Sequence, residues 1–199
     1  MYNFQRISDL SVLQKLPKPE VLLLENFWQP NSDSSLAFRS GGQDDLEQLR
    51  DMPSLQSLTV GQVEKVINIG ALTNIRTLSA LRFRFISTFS ESHLTDLQGL
   101  KRLQCLSISM APESKLTNIS AIGSMTGLTR LFIHYVPKLS DISVLRKLKK
   151  LRFLQITACW NLRGVSVLEH MPNLQDIDLK NSKNVLINTI PSRFRGNVR

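Results

Sequence analysis

One pattern of apolar residues recurs along most of the chain and constrains the fold more than any other feature. Each copy of the pattern closes with two apolar residues that flank a single variable one. The pairs are Leu22/Leu24, Leu58/Val60, Leu81/Phe83, Leu106/Ile108, Leu131/Ile133, Leu154/Ile156 and Ile177/Leu179. Successive pairs are separated by 36, 23, 25, 25, 23 and 23 residues. Self-similarity at a period of this length is typical of a repeat architecture, in which each copy packs on its neighbours.

The spacing within each copy predicts its local structure. Alternation in the closing pair indicates a short strand whose two apolar side chains point inward. Before the pair, apolar residues recur at every third position, as from Leu139 to Leu154, which indicates 3₁₀ or single-turn helix with one buried stripe. We therefore expect an α/β solenoid with one curved sheet. Its parallel strands are predicted at residues 21–25, 57–61, 80–84, 105–109, 130–134, 153–157 and 176–180.

The clearest copy is Leu-Arg-Phe-Leu-Gln-Ile-Thr-Ala-Cys-Trp-Asn-Leu, residues 151–162. It resembles the signature of the leucine-rich-repeat superfamily, with Cys159 where the family has its ladder residue. The resemblance implies a horseshoe with a concave parallel sheet and a convex side of short helical turns. Other copies have different residues at the ladder position, namely Phe27, Val63, Ile86, Ala111, Val136 and Ser182. We therefore expect small or apolar filling of this turn in place of an asparagine ladder.

Two sequence motifs resemble those of one group within the superfamily, the trypanosomatid leucine-rich-repeat proteins. They are Leu-Ser-Asp-Ile-Ser-Val-Leu at 139–145 and the turn Thr-Ala-Cys-Trp-Asn-Leu at 157–162. That group includes expression-site-associated proteins described as candidate regulators of adenylate cyclase. The resemblance implies protein binding without catalysis.

The repeat pattern also divides the chain. Residues 1–6 are predicted to be an N-terminal lead, residues 7–190 the repeat array and residues 191–199 a basic tail. The first gap exceeds the commonest spacing because of an inserted loop near residues 26–45, which contains Trp28. This insert is either an interaction loop or a tolerated insertion that packs Trp28 on the core. Neither end of the array shows a polar cap in the sequence, so we expect exposed core edges.

Nothing in the sequence predicts an enzyme. The three histidines, His93, His134 and His170, fall in three different copies, and no cluster has metal-ligand spacing. The chain has no glycine-rich phosphate loop and no nucleophile motif. We therefore expect no catalytic site, metal, cofactor or small-molecule substrate.

No apolar run approaches the length of a membrane span, and no secretory signal is recognisable. The two cysteines favour a reducing, cytoplasmic compartment.

Charge is distributed unevenly along the chain. The net charge is +9, and residues 101–199 hold 16 of the 25 basic residues but 5 of the 16 acidic ones. This basic half is either a solvated face or a contact for an acidic protein, RNA or another polyanion. The candidates for anionic contact on the convex side are Lys147, Lys149, Lys150 and Arg152. No aromatic residues interleave with them, which weakens a single-strand nucleic-acid function.

The outward positions of the predicted strands carry the candidate binding site. In the middle copies these positions hold Arg82, Arg84, Arg130, Phe132, His134 and Phe153. Aromatic residues beside arginines are typical anchors of protein interfaces. The alternative is a scattered, solvated surface. The sequence thus predicts a non-catalytic scaffold that binds a protein partner through its concave sheet, and the competing function is that of a ribonucleoprotein component contacted through the basic half.

Overall fold

A computed structural model describes residues 2–4, 18–25, 43–63, 65–111, 114–163, 165–182 and 190–194. The main sheet consists of β1 (Tyr2–Phe4), β2 (Val21–Glu25), β4 (Ser57–Gly61), β6 (Ala80–Arg84), β7 (Cys105–Ser109), β8 (Arg130–His134), β9 (Phe153–Thr157) and β10 (Asp176–Asp178). These eight strands pair in that order and all pairs are parallel. Strands β3 (Gln43–Asp45) and β5 (Lys65–Ile67) form a separate parallel pair.

The predicted strands are confirmed with little change. Six of the seven have the predicted bounds, and β10 ends at Asp178 instead of at residue 180. The register also follows the repeat, because Leu58 pairs with Leu81, Leu81 with Leu106 and so on along the sheet. Equivalent residues of successive copies therefore lie side by side in rows across the strands.

The connections between strands are short helical turns. The 3₁₀ helices lie at Leu46–Leu49, Ile69–Asn74, Ser120–Ser124, Ser143–Lys147 and Val165–His170, and α1 spans Glu91–Asp96. Helix α1 begins after Ser90, whose backbone N–H donates to Nδ1 of His93 at 3.1 Å. The predicted period-three stripe is thus 3₁₀ helix in most described copies.

The core is one continuous stack of the inward residues. All fourteen residues of the closing pairs are buried, with at most 5% of their surface exposed. The preceding stripe is equally buried, as Ile142, Leu145 and Leu148 show with 1% or less exposed. Each such side chain contributes about 1.5–3 kcal/mol when it leaves water, so this stack dominates the stability.

The ladder position is filled as expected. Val63, Ile86, Ala111, Val136, Cys159 and Ser182 are all buried there, and Phe27 lies outside the described residues. The backbone satisfies itself across copies just before this position. The N–H of Gln62 donates to the carbonyl of Arg84 at 2.8 Å, and the N–H of Ala158 donates to that of Lys180 at 3.1 Å. Because these groups pair with each other, the turn needs no asparagine side chain.

The N-terminal part departs from the predicted organisation. Residues 1–6, predicted as a lead, contain β1, which adds a strand beside β2. Residues 43–45, predicted as the end of the inserted loop, form β3 and pair with β5. Asp45 then caps the following 3₁₀ helix by accepting a hydrogen bond from the N–H of Glu47 at 3.0 Å. The remainder of the insert, with Trp28, lies outside the described residues.

The C-terminal end of the array has a cap that the sequence pattern did not predict. Ser192–Phe194 forms a 3₁₀ turn, and Ile190 and Phe194 are each 2% exposed. The guanidinium of Arg193 donates to the carbonyls of Leu168 and Met171 at 2.8 and 2.9 Å. Both carbonyls, at the end of the helix Val165–His170 and just after it, also accept backbone hydrogen bonds, so Arg193 adds a second hydrogen bond to each. Residues 190–194, at the boundary that we predicted between the array and the basic tail, thus pack on the last described copy.

The two hydrogen bonds of Arg193 are expected to stabilise the C-terminal copy. Replacing Arg193 by Ala removes both hydrogen bonds, and we expect the free energy of unfolding to fall by about 1 kcal/mol. Amides of residues 171–178 should exchange with solvent faster, whereas those of β7 and β8 should not change. Hydrogen exchange by mass spectrometry measures both regions. The control is Arg146→Ala, which removes an exposed arginine of a central copy. Equal exchange in the two variants would contradict a capping role for Arg193.

Candidate partner-binding surface

Outward residues of the main sheet form three rows on its concave face. The register places the first row as Ser57, Ala80, Cys105, Arg130, Phe153 and Asp176. The second row is Thr59, Arg82, Ser107, Phe132, Gln155 and Asp178. The third row is Gly61, Arg84, Ser109, His134 and Thr157, at the carboxyl ends of the strands.

Two aromatic side chains meet near the middle of this face. The rings of Phe132 and Phe153 have centroids 5.1 Å apart and are tilted by 36°. They are diagonal neighbours, because Phe153 pairs with Arg130 while Phe132 pairs with Gln155. This is the arrangement that the sequence register predicts. Both residues are half-buried, so the two rings hold each other in place and still present apolar surface to solvent.

Two of the arginines lie on either side of strand β7. Arg82 on β6 and Arg130 on β8 are exposed, and between them β7 presents the short side chains of Cys105, Ser107 and Ser109. Burial raises the pKa of the Cys105 thiol, and the positive charges of Arg130 and Arg82 partly oppose this shift. Both guanidinium groups are therefore close enough to act on the same thiol. Since the pKa remains raised, Cys105 is not activated as a nucleophile.

The other two predicted residues belong to the carboxyl edge of the sheet. The guanidinium of Arg84 lies 5.8 Å from the ring centroid of Phe85. Nδ1 of His134 is hydrogen-bonded to Oγ1 of Thr157, and the His134 ring contacts Tyr135 with centroids 5.4 Å apart. The six predicted residues thus divide into two groups. We call Arg82, Arg130, Phe132 and Phe153 the central concave surface.

Three aromatic residues at this edge, two of them exposed and one half-buried, are not among the predicted site residues. Phe85 is 36% and Trp160 39% exposed, and the Trp160 ring meets the half-buried Tyr135 edge-on with centroids 5.6 Å apart. Phe85 and Tyr135 have φ angles of 52° and 57°, in the left-handed region that bulky residues rarely adopt. Each directly follows a strand, where the left-handed turn breaks the alternation on which the sequence prediction relied. The signal for them was therefore an aromatic residue at the first position after a strand.

Acidic residues end the concave rows on β10. Asp176 is exposed, and Asp178 accepts hydrogen bonds from Nε2 of Gln155 at 2.9 Å and from the N–H of Lys180 at 3.0 Å. Across the sheet, the face therefore runs from arginines through an aromatic pair to carboxylates. Both aspartates lie in the strand predicted at residues 176–180, but they are not among the predicted site residues.

The convex basic residues lie apart from the concave rows. Lys147 ends a 3₁₀ helix, and Lys149, Lys150 and Arg152 lie in the turn that leads into β9. All four are exposed, and Nζ of Lys149 donates to the carbonyl of His170 at 3.4 Å. They form a basic patch without aromatic residues among them.

The remaining chemical groups offer no second centre in the described ranges. Cys159 is fully buried, and burial raises the pKa of its thiol to about 11. In the part of the chain that the structure describes, no three His, Cys, Asp or Glu residues come close enough to hold a metal ion. No helix there is both long and apolar enough to cross a bilayer.

Comparisons with known proteins identify the fold. No protein-family model and no curated protein sequence matches the chain. Among solved structures, the leucine-rich repeat domain of the type III effector XopL superposes with a TM-score of 0.57 at 19% identity, covering 88% of this chain and 57% of that one. An internalin, InlF, from Listeria monocytogenes superposes with a TM-score of 0.51 at 20% identity, covering 98% and 63%. The chain thus spans about three-fifths of the length of these structures, and its fold is the predicted leucine-rich-repeat horseshoe.

Proposed function

We propose that this chain is a non-catalytic scaffold that binds a protein partner through its central concave surface. The observation that carries the proposal is the pair of Phe132 and Phe153, whose rings contact each other at 5.1 Å and remain half-exposed. Binding energy at protein interfaces concentrates in aromatic and arginine residues near the centre of the contact. Here the aromatic pair lies between Arg130 and the acidic end of the sheet.

The way in which these side chains are held supports the proposal. Phe132 and Phe153 project from adjacent strands of a sheet whose inner face is fully buried. A partner that covers them therefore pays little for ordering the surface, which leaves more of the interaction energy as affinity. The trypanosomatid resemblance and the cytoplasmic location remain predictions from the sequence.

The competing function, contact with RNA through the basic half, has no comparable support. The exposed cluster of Lys147, Lys149 and Lys150 lacks the aromatic stacking platform that single-stranded nucleic acid uses. Affinity for a phosphate backbone also falls steeply with salt, whereas an aromatic-anchored protein interface loses less. A salt titration of any complex therefore separates the two functions.

A comparison of two variants tests the proposal. Partners are captured from an extract with the parent chain, identified and purified, and their affinity is then measured for Phe132→Ala/Phe153→Ala and for Lys147→Gln/Lys149→Gln/Lys150→Gln. Because truncating an interface anchor costs about 2 kcal/mol or more, we expect the double phenylalanine variant to bind at least about 30-fold more weakly. The lysine variant should bind within about threefold of the parent, since exposed rim charges contribute little.

Melting curves of both variants provide the control for folding, because half-buried Phe132 and Phe153 lie outside the inner core. If the lysine variant loses the partner and the phenylalanine variant retains it, the concave proposal fails and the convex basic patch becomes the contact surface.

A further inference from the structure

Strand β7 forms the floor of a trough on the concave face. Its outward residues, Cys105, Ser107 and Ser109, have short side chains, whereas the strands on either side carry Arg82 and Arg130. Neighbouring strands lie about 4.8 Å apart, and Arg130 is offset from Arg82 by two residues along the strands, so the two arginine backbones are about 12 Å apart. A group that rests between Cys105 and Ser107 is then about 6 Å from each arginine backbone, within the length of an arginine side chain. The positive charges of Arg130 and Arg82 also act on the Cys105 thiol of this floor, where they lower a pKa that burial raises.

The positive charge of the trough is not neutralised by the described part of the protein. The one salt bridge among the described residues joins Arg50 and Glu47, far along the chain from β6 and β8. The acidic residues at outward register positions are Asp176 and Asp178 on β10, two strands beyond β8, and Glu25 on β2, two strands before β6. The trough therefore combines two exposed guanidinium groups with the hydroxyls of Ser107 and Ser109, and strands β6, β7 and β8 carry no carboxylate.

We propose that this trough receives the phosphoryl group of a phosphorylated segment of the partner protein, an inference that rests on the proposed scaffold function. A carboxylate carries one charge and satisfies one arginine fork, which leaves the second guanidinium without a partner. A phosphoryl group carries about −1.5 to −2 charges at neutral pH and three acceptor oxygens. It accepts from Arg82 and Arg130 together and from the Ser107 hydroxyl, so its charge and shape match the trough better. Planar arginine forks are also the usual protein groups for recognising phosphorylated motifs.

The other side chains of the concave face predict which peptide residues follow the phosphorylated one. The midpoint between Phe132 and Phe153 lies one and a half strands from β7, about 7 Å, and Asp176 lies three strands away, about 14 Å. An extended peptide advances about 3.4 Å per residue, and alternate side chains share a face. A segment that crosses the strands thus places residue i in the trough, residue i+2 on the aromatic pair and residue i+4 beside Asp176. The predicted motif is a phosphoserine or phosphothreonine at i, a large apolar residue at i+2 and Lys or Arg at i+4.

The experiment uses fluorescent peptides and the full chain. The probe is a peptide with phosphoserine, leucine and arginine at positions i, i+2 and i+4 and alanine or glycine elsewhere, and binding is followed by fluorescence anisotropy. We expect the unphosphorylated peptide, and the peptide with glutamate at i, to bind at least about tenfold more weakly, since each charge-assisted hydrogen bond is strong. A peptide with arginine at i and phosphoserine at i+4 reverses the order of charges and should also bind at least about tenfold more weakly.

Substitutions in the trough test the assigned residues. Arg82→Gln/Arg130→Gln should reduce affinity for the phosphopeptide at least about 30-fold, more than either single change. Ser107→Glu places a carboxylate on the floor and should have a similar effect. Ser120→Glu makes the same change at an exposed residue of the helix Ser120–Ser124, away from the sheet, and should change affinity by less than about threefold. Asp176→Lys should lower the affinity for the parent peptide and raise the affinity for a peptide with glutamate at i+4. Melting curves show whether each variant is folded.

Each outcome separates the two proposals. If a library that varies every position except the phosphoserine contains no peptide that binds better than its unphosphorylated form, the phosphoryl site is overturned. The same holds if phosphatase treatment of the purified partner leaves its affinity unchanged while Phe132→Ala/Phe153→Ala still abolishes binding; the scaffold then survives without the trough. If neither the phenylalanine nor the arginine variant affects the partner, both proposals fail.

Discussion

Replacing Leu154 by Asp is expected to abolish cooperative unfolding of the whole chain. Leu154 is 0% exposed and lies on β9 between Leu131 of β8 and Ile177 of β10, which are also buried. A carboxylate at this position would have no partner among aliphatic side chains, and burying an unpaired charge costs several kcal/mol or more. Because neighbouring copies share one core, the copies on both sides of β9 lose their packing surface.

Thermal and urea unfolding, followed by circular dichroism, measure this effect. The transition of the parent should be a single sigmoid, whereas Leu154→Asp should give a broad or absent transition with a lower midpoint. The matched control is Gln175→Asp, which introduces the same charge at an exposed position just before β10. We expect the control to unfold within about 0.5 kcal/mol of the parent. A Leu154→Asp curve that superposes on the parent would show that the side chain does not lie in the core.

The strands of the main sheet were predictable because one physical requirement is repeated. Each closing pair must point inward for its copy to bury a stripe, and the period of two then fixes which neighbours point outward. The diagonal contact of Phe132 and Phe153 followed from the same register. It needed no knowledge of side-chain packing, since adjacent parallel strands bring equivalent residues side by side.

Features that occur once in the chain were not predictable from the repeat. Strand β1 has no closing pair of its own, and its strand structure comes from pairing with β2. The small sheet of β3 and β5 pairs two three-residue segments that contain charged residues, which carry little apolar signal. The cap at Arg193 depends on a long side chain reaching the carbonyls of Leu168 and Met171, 25 and 22 residues earlier. A local pattern contains no information on such a contact.

The candidate site was predictable in position and incomplete in detail. Arg82, Arg84, Arg130 and His134 were assigned to one patch because alternate residues share a face of a strand. The structure turns Arg84 toward Phe85 and His134 toward Tyr135, because both precede a residue in the left-handed conformation. The trough on β7 depends instead on short outward side chains between longer ones. Serines within a pattern of apolar residues do not indicate such a trough until the residues on the neighbouring strands are known.

A second large effect is expected at Gly127, where the backbones of two copies approach each other closely. An ideal Cβ on Gly127 would lie 2.4 Å from the carbonyl oxygen of Lys101 and 3.0 Å from that of Leu103. Both contacts are with backbone of the preceding copy, so no flexible side chain can move aside to relieve them. Gly127→Ala must therefore separate the two copies at this point, and overpacking of this kind costs about 1–3 kcal/mol. At about 2–4 °C per kcal/mol for a chain of this size, the melting temperature should fall by several degrees.

Gly70 provides the matched control for this substitution, because an added Cβ there has room. Its nearest neighbours would be the Cβ and carbonyl oxygen of Asp96, both at 3.8 Å, which is ordinary van der Waals contact. Gly70 lies within the 3₁₀ helix Ile69–Asn74, where alanine restricts the unfolded chain more than glycine does. We therefore expect Gly70→Ala to stabilise the protein by about 0.4–1 kcal/mol. The two variants carry the same chemical change, so opposite shifts in melting temperature isolate the close approach of the backbones. If Gly127→Ala melts at or above the temperature of Gly70→Ala, the copies are not packed as closely as the carbonyls of Lys101 and Leu103 indicate.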